Sequence, residues 1–271
     1  MALARLNERM TWFYGQADGR ELYQTMLDAQ ETDVSLNSVR HLMPRYVADS
    51  DAASVLEVGC GSGRLYRQLR QYGYNGSYAG IEVAQYVIGH NQERHPEATW
   101  EAALAYDIPF GDVSFDLCFS LYVLEHLVYP KRALTEMLRV LKPQGRMVLV
   151  FPDFVASGRF PSQLFGFRPG KAAEKMKQGH WLDFLVSLYD SRVRLPSALN
   201  KVTSEVGAFP VNMNPICLYF PEVMAADIDA VYIASKLEVH QWAIDQGCQV
   251  EYPCGTKGDF ASQAFLVVSK T

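Results

Sequence analysis

The chain of 271 residues carries 25 Lys and Arg against 30 Asp and Glu, a formal charge of −5, with 49% apolar and 20% charged residues. That mix belongs to an ordinary globular protein with an ample core, so disorder throughout the chain is excluded. The acidic balance also argues against nucleic acid as a partner, because phosphate backbones are gripped by basic surfaces.

Residues 1–50 read as an N-terminal helical segment. Leu36, Val39, Met43, Tyr46 and Val47 fall at helical spacing, Ser35 offers an N-cap, and Pro44 predicts a kink or an early stop. The opening residues lack the apolar run of a secretory signal, and no stretch approaches the roughly 18 apolar residues that cross a bilayer. The expectation is a cytoplasmic protein with no membrane partner.

Strand and helix then alternate over 51–152. Strands are expected at 54–58, 76–82, 99–102, 115–120 and 146–151, with helices at 64–72, 84–94 and 130–141 between them. This rhythm predicts right-handed crossovers and a mostly parallel sheet with helices on both faces. From 153 to 235 the rhythm breaks into loops around one amphipathic helix, with Leu182, Leu185, Val186 and Tyr189 on one side. Residues 236–271 return to a helix near 236–246 and two strands near 249–252 and 263–269. The link Gly255-Thr256-Lys257-Gly258-Asp259 suits a hairpin.

The five cysteines (Cys60, Cys118, Cys217, Cys248, Cys254) are scattered, with no Cys-x-x-Cys, and the six histidines form no His-Glu-x-x-His. Reduced thiols, no disulfide framework and no metal are expected. Nothing in the pattern assigns an oligomeric state.

Gly59, Gly61 and Gly63 stand directly between a strand and a helix, where residues without Cβ let a ligand approach the main chain. Glu82 follows 23 residues after Gly59, at the end of the next strand, where a carboxylate can accept from two vicinal ribose hydroxyls. The plain alternative is a tight turn with a solvated surface acid. A dinucleotide fingerprint needs its third glycine at position 64, which is Arg64. Glu57 beside the loop would repel a pyrophosphate but suits a ligand bearing an ammonium and a sulfonium.

On these residues the sequence resembles the class I S-adenosylmethionine-dependent methyltransferases, in their small-molecule branch. Val55-Leu56-Glu57-Val58-Gly59-Cys60-Gly61-Ser62-Gly63 resembles the first motif and Gly80-Ile81-Glu82 the ribose-binding strand end. Ile108-Pro109-Phe110 with Ser114-Phe115-Asp116 resembles the approach to strand four. Leu124-Glu125-His126-Leu127 and Leu134 to Gly145 resemble the helix and turn before strand five. The resemblance implies an α/β fold: a Rossmann-like, mostly parallel seven-stranded sheet with an antiparallel last strand, N-terminal helices and a helical lid insertion over 153–235. It implies S-adenosyl-L-methionine as cofactor, held by Glu57, Gly59, Cys60, Gly61 and Gly63, with Glu82 on the ribose and Val83 beside the adenine. Leu104 stands where the family often has Asp, so the ring would pack on Leu104 and meet backbone groups of Ala105 or Tyr106. Ser120 and Leu121 would face the methionine and the reaction site.

Candidate general bases are His126, Asp153 and His180. Each has a quieter alternative: a cap or packing group, a loop-turning Asp, and a helix-surface His. Within the insertion, residues 159–201 hold eight basic residues against three acidic ones. Arg168 and Lys171 would then receive an anionic group on a small-molecule acceptor, or the excess is simply a solvated face. Two further readings stay open: a catalytically silent relative that binds the cofactor, and a nicotinamide-dependent dehydrogenase, which the missing glycine disfavours.

Overall fold

A computed structural model describes residues 1–15, 35–223 and 225–271. The part of the N-terminal helical expectation that falls on 16–34 lies outside the described residues. Helix α1 (Ala2–Gly15) turns Leu6, Met10 and Phe13 inward. Helix α2 (Val39–Ala48) starts at Ser38, whose hydroxyl accepts from the Arg40 N–H, so the N-cap is Ser38 and not Ser35. Pro44 lies inside α2 and does not end it.

The alternating region forms strands and helices nearly where periodicity puts them. In order these are β1 (Ser54–Val58), α3 (Arg64–Gln71), β2 (Ser77–Glu82), α4 (Gln85–Arg94), β3 (Thr99–Ala102), β4 (Phe115–Leu121), α5 (Pro130–Val140) and β5 (Leu141–Pro152). β5 begins five residues before the expected Arg146. Its first residue Leu141 pairs with Phe115, and the Lys142–Gly145 turn bulges out before Arg146 resumes the ladder opposite Leu117.

After β5 come the short α6 (Phe154–Ser157), α7 (Ala172–Lys177) and α8 (Trp181–Tyr189). A wide π turn over Asp190–Arg194 leads into α9 (Leu195–Ser204). Helix α10 (Lys236–Asp245) then returns the chain to β6 (Gln249–Glu251) and β7 (Gln263–Ser269). The seven strands lie in the order β3-β2-β1-β4-β5-β7-β6, with β7 antiparallel to both neighbours, the last of them its hairpin partner. The sheet class expected from the sequence is therefore the one observed.

Strand alternation splits the core in two. Val55, Leu117, Phe119, Val148, Phe265 and Val267 face α2 and α3, against Met43, Val47, Leu65 and Leu69. Leu56, Cys118, Met147, Leu149, Leu266 and Val268 face α5 and α10, against Leu134, Met137, Val239 and Trp242. A third cluster joins α1 to Val128, Ile216, Ile228 and Val231, so the N-terminal helix closes against the loops that follow α9.

Helix α8 forms where expected but is turned the other way. Leu182, Leu185 and Tyr189 are exposed, while Asp183 and Ser187 are buried. The buried Lys175 ammonium decides this orientation. It donates to the Phe165 carbonyl and to Ser187 Oγ at 2.9 Å, and lies 3.3 Å from Asp183 Oδ1. Asp183 and Asp190 also accept from the Phe167 and Gly166 N–H groups, each at 2.7 Å. An apolar face in that position would strand all of these groups without partners.

Candidate active site

The loop after β1 is hitched to β2 through the Ile81 carbonyl, which accepts from Gly59 N at 2.8 Å and Cys60 N at 3.0 Å. Gly59, Gly61 and Gly63 all have positive φ, +76°, +46° and +73°. At Gly59 a Cβ would overlap the Val123 side chain, so glycine is required there by both backbone and space. Asn91 of α4 donates to the Gly61 carbonyl at 2.7 Å and fixes the loop from outside. Glu82 ends β2 next to it, buried, with Oε1 accepting from the Val83 N–H at 2.8 Å and Oε2 lying 3.3 Å from the Gly61 N–H.

A cavity of about 670 Å³ opens over this edge of the sheet. Of the residues expected to hold a cofactor, Gly59, Gly61, Glu82, Val83, Leu104, Ala105 and Leu121 line it. Glu57, Cys60, Gly63 and Ser120 do not. Glu57 is the instructive departure. Alternation along β1 sends its carboxyl to the opposite face from Val58, where the Tyr78 hydroxyl donates to it. Burial pushes its pKa up to about 8. Gly63 instead starts α3, where a Cβ would crowd Trp100, and Cys60 packs against Gly80.

Among the three candidate bases the structure brings only His126 to the cavity. Asp153 is buried and caps α6, accepting from the Ala156 N–H at 2.9 Å and pairing with Lys236 at 3.7 Å. His180 lies beside Arg168, which is exposed, and neither Arg168 nor Lys171 lines the cavity.

His126 sits among carboxylates. Its Nδ1 is 3.4 Å from Asp229 Oδ2 and its Nε2 is 3.8 Å from Glu125 Oε1. Tyr14 of α1 donates to Asp229 at 2.7 Å, holding that carboxylate in place. Burial lowers the His126 pKa, but Asp229, Glu125 and Asp227 outweigh it and leave the imidazole above its ordinary value. Glu125 is fully buried, neither of its carboxylate oxygens has a hydrogen-bond partner among the described residues, and burial pushes its pKa up to about 8. The Glu125 backbone carbonyl accepts from the Val231 and Tyr232 N–H groups, which fixes the 227–232 segment over the site. One ligand atom each from Glu125, His126 and Asp227 lies within 4.8 Å of the others, so three donors for a divalent cation converge here.

Two non-glycine residues with positive φ, Tyr122 (+56°) and Asp227 (+58°), both line the cavity. Backbone held in this sparsely populated region concentrates at functional sites. The Tyr122 hydroxyl accepts from Gln263, and the Arg40 guanidinium lies over its ring at 5.8 Å. Tyr14, Arg40, Asp227, Asp229 and Gln263 were missed by sequence reasoning. The Asp227-Ile228-Asp229 pair in an otherwise apolar stretch was the one available signal.

Sheet order, glycine loop and the carboxylate ending β2 together define the architecture of a class I S-adenosylmethionine-dependent methyltransferase. Comparison with known proteins agrees: residues 56–149 match the family described as Methyltransferase domain. The chain is 33% identical over 101 residues to O-methyltransferase cnsE of Penicillium expansum, a match covering 35% of this chain and 36% of that protein. It is 28% identical over 145 residues to O-methyltransferase resE of Aspergillus sclerotiorum, covering 49% and 54%. The match thus spans about a third to a half of these relatives' length. An S-adenosylmethionine-dependent methyltransferase from Mesorhizobium loti shares the fold with a TM-score of 0.52 at 14% identity, over 86% of this chain and 97% of that one.

Proposed function

We propose that the protein transfers the methyl group of S-adenosylmethionine to a hydroxyl of a small-molecule acceptor, with His126 as the general base. The observation that carries this reading is a single cavity lined both by the glycine loop with Glu82 and by His126, Asp229 and Tyr14. When bound, the cofactor supplies an electrophilic methyl group on a sulfonium.

The residues fit such a ligand. Gly59 and Gly61 leave the backbone open to close approach, the Glu82 carboxylate meets vicinal ribose hydroxyls, and Val83 and Leu104 offer apolar walls to a ring. The Asp229 charge, 3.4 Å from Nδ1, stabilises the imidazolium that forms when the ring takes the acceptor's proton. Arg40 is a cation on the cavity wall, so an anionic group on the acceptor is met by Arg40 in place of Arg168 and Lys171. The relatives named as O-methyltransferases support oxygen as the acceptor atom.

A second reading has one observation in its favour: the convergence of Glu125, His126 and Asp227 suits a divalent cation that would bind the acceptor oxygen directly. Incubation with methyl-labelled cofactor and a panel of hydroxylated metabolites separates the readings. With His126 as base, H126A loses a hundredfold or more in kcat while its affinity for S-adenosylhomocysteine is unchanged. Turnover in that case survives EDTA and rises with pH through an inflection above about 6.5, which D229N moves to lower pH. Loss of turnover in EDTA with recovery on added magnesium favours the cation. Full turnover by H126A contradicts both. Cofactor binding with no turnover on any acceptor leaves the silent relative.

A further inference from the structure

Helix α8 carries an apolar stripe on its outer side. Trp181, Leu182, Leu185 and Tyr189 are each more than half exposed, and Val193 continues the line one turn further on at 49%. These positions recur at helical spacing, so they form one continuous face. Phe167, 58% exposed, stands in the loop that packs under the same helix. A contiguous apolar face of this kind on a folded domain marks a contact surface.

The charge around the stripe is one-sided because of how the segment folds. Of its three acids, Asp183 and Asp190 are turned inward to the Gly166 and Phe167 N–H groups, and only Glu174 is exposed. Of its eight basic residues only Lys175 is buried. Arg194 pairs with Asp190 and Lys201 with Glu205, which leaves Arg168, Lys171, Lys177 and Arg192 as exposed cations on α8 and the segments joined to it. The chain as a whole carries −5, so this cationic rim stands out against an acidic molecule.

We infer that the outer face of α8 docks on the surface of an anionic lipid bilayer. Trp, Leu and Tyr side chains enter the boundary between headgroups and acyl chains, and the flanking cations meet lipid phosphates. A second copy of the chain fits less well, because a two-fold contact would set the same cations against one another. Nucleic acid would satisfy the cations but leave the apolar stripe in water. No described helix is long and apolar enough to cross a membrane, so the contact is peripheral. This departs from the expectation of no membrane partner, and it stands independently of the transferase reading.

The test is sedimentation of the full chain with vesicles of three parts phosphatidylcholine to one part phosphatidylglycerol, beside vesicles of phosphatidylcholine alone. The expected result is binding to the anionic vesicles only, weakened by salt and by L185E. The double variant R168E/R192E should bind at least tenfold more weakly, since each cation near an anionic surface contributes about a factor of five. All of these substitutions are at exposed positions, and an unchanged melting temperature and far-ultraviolet circular dichroism spectrum in each variant verify folding. Absence of binding to the anionic vesicles overturns the proposal, as does binding indifferent to L185E. A concentration-dependent dimer dissolved by L185E would assign the face to a second copy instead.

Discussion

Glu57 and Glu125 are buried carboxyls whose pKa values burial raises to about 8 from an ordinary 4.5. Between those two pH values the folded protein holds protons that the unfolded chain has released. Stability therefore falls as pH climbs through this window, and the loss is complete above the folded-state pKa. The expected outcome is a Tm that declines from about pH 5 to above pH 8 for the unliganded protein, with a shallower decline in E57Q and in E125Q. Glutamine keeps the shape and never ionises, and in E57Q its carbonyl still accepts from the Tyr78 hydroxyl. Thermal melts across pH check this, and equal slopes for wild type and both variants would contradict it. At the same scale, the sequence displayed Glu57 beside the glycine loop but not which face of β1 it occupies. One residue of strand parity separates a cofactor contact from a core carboxyl.

At the scale of elements, the glycine loop and the helix it introduces form the most tightly determined unit. G59A places a Cβ into the Val123 side chain and an L residue at φ +76°. The backbone part of that cost is roughly 1–2 kcal/mol, with the steric part added to it. G59A should lower Tm and weaken cofactor binding, and the double variant G59A/V123A should recover the steric part alone. Full recovery, or no effect of G59A, would show that the loop does not need its left-handed backbone. The elements around this loop were legible because each strand is a short apolar run bounded by turn residues. Helix α8 was legible in position but not in orientation. Its periodicity is genuine, yet the buried Lys175 and the loop N–H groups claim its polar side, and those partners are distant in sequence from most of the helix.

For the whole molecule, the seven-stranded, mostly parallel sheet and its antiparallel last strand followed from the resemblance, while the strand order is read from the structure. The half of the cavity built by the sheet edge was readable, since it rests on a motif contiguous in sequence. The other half was not. Tyr14, Arg40, Asp227 and Asp229 come from three separate stretches that meet only when α1, α2 and the 227–232 segment pack over the sheet. His126 gains its carboxylate partner from 103 residues away. Beyond the Asp227-Ile228-Asp229 pair, such a constellation leaves no local pattern.

Calorimetric titration of the full chain with S-adenosylhomocysteine, beside the E82Q variant, addresses the cavity most directly. The expected result is one-to-one binding to the wild type and at least tenfold weaker binding to E82Q, the loss expected when a charged acceptor of hydroxyl hydrogen bonds becomes neutral. Absence of heat with the wild type, or equal affinity in the two proteins, would contradict it.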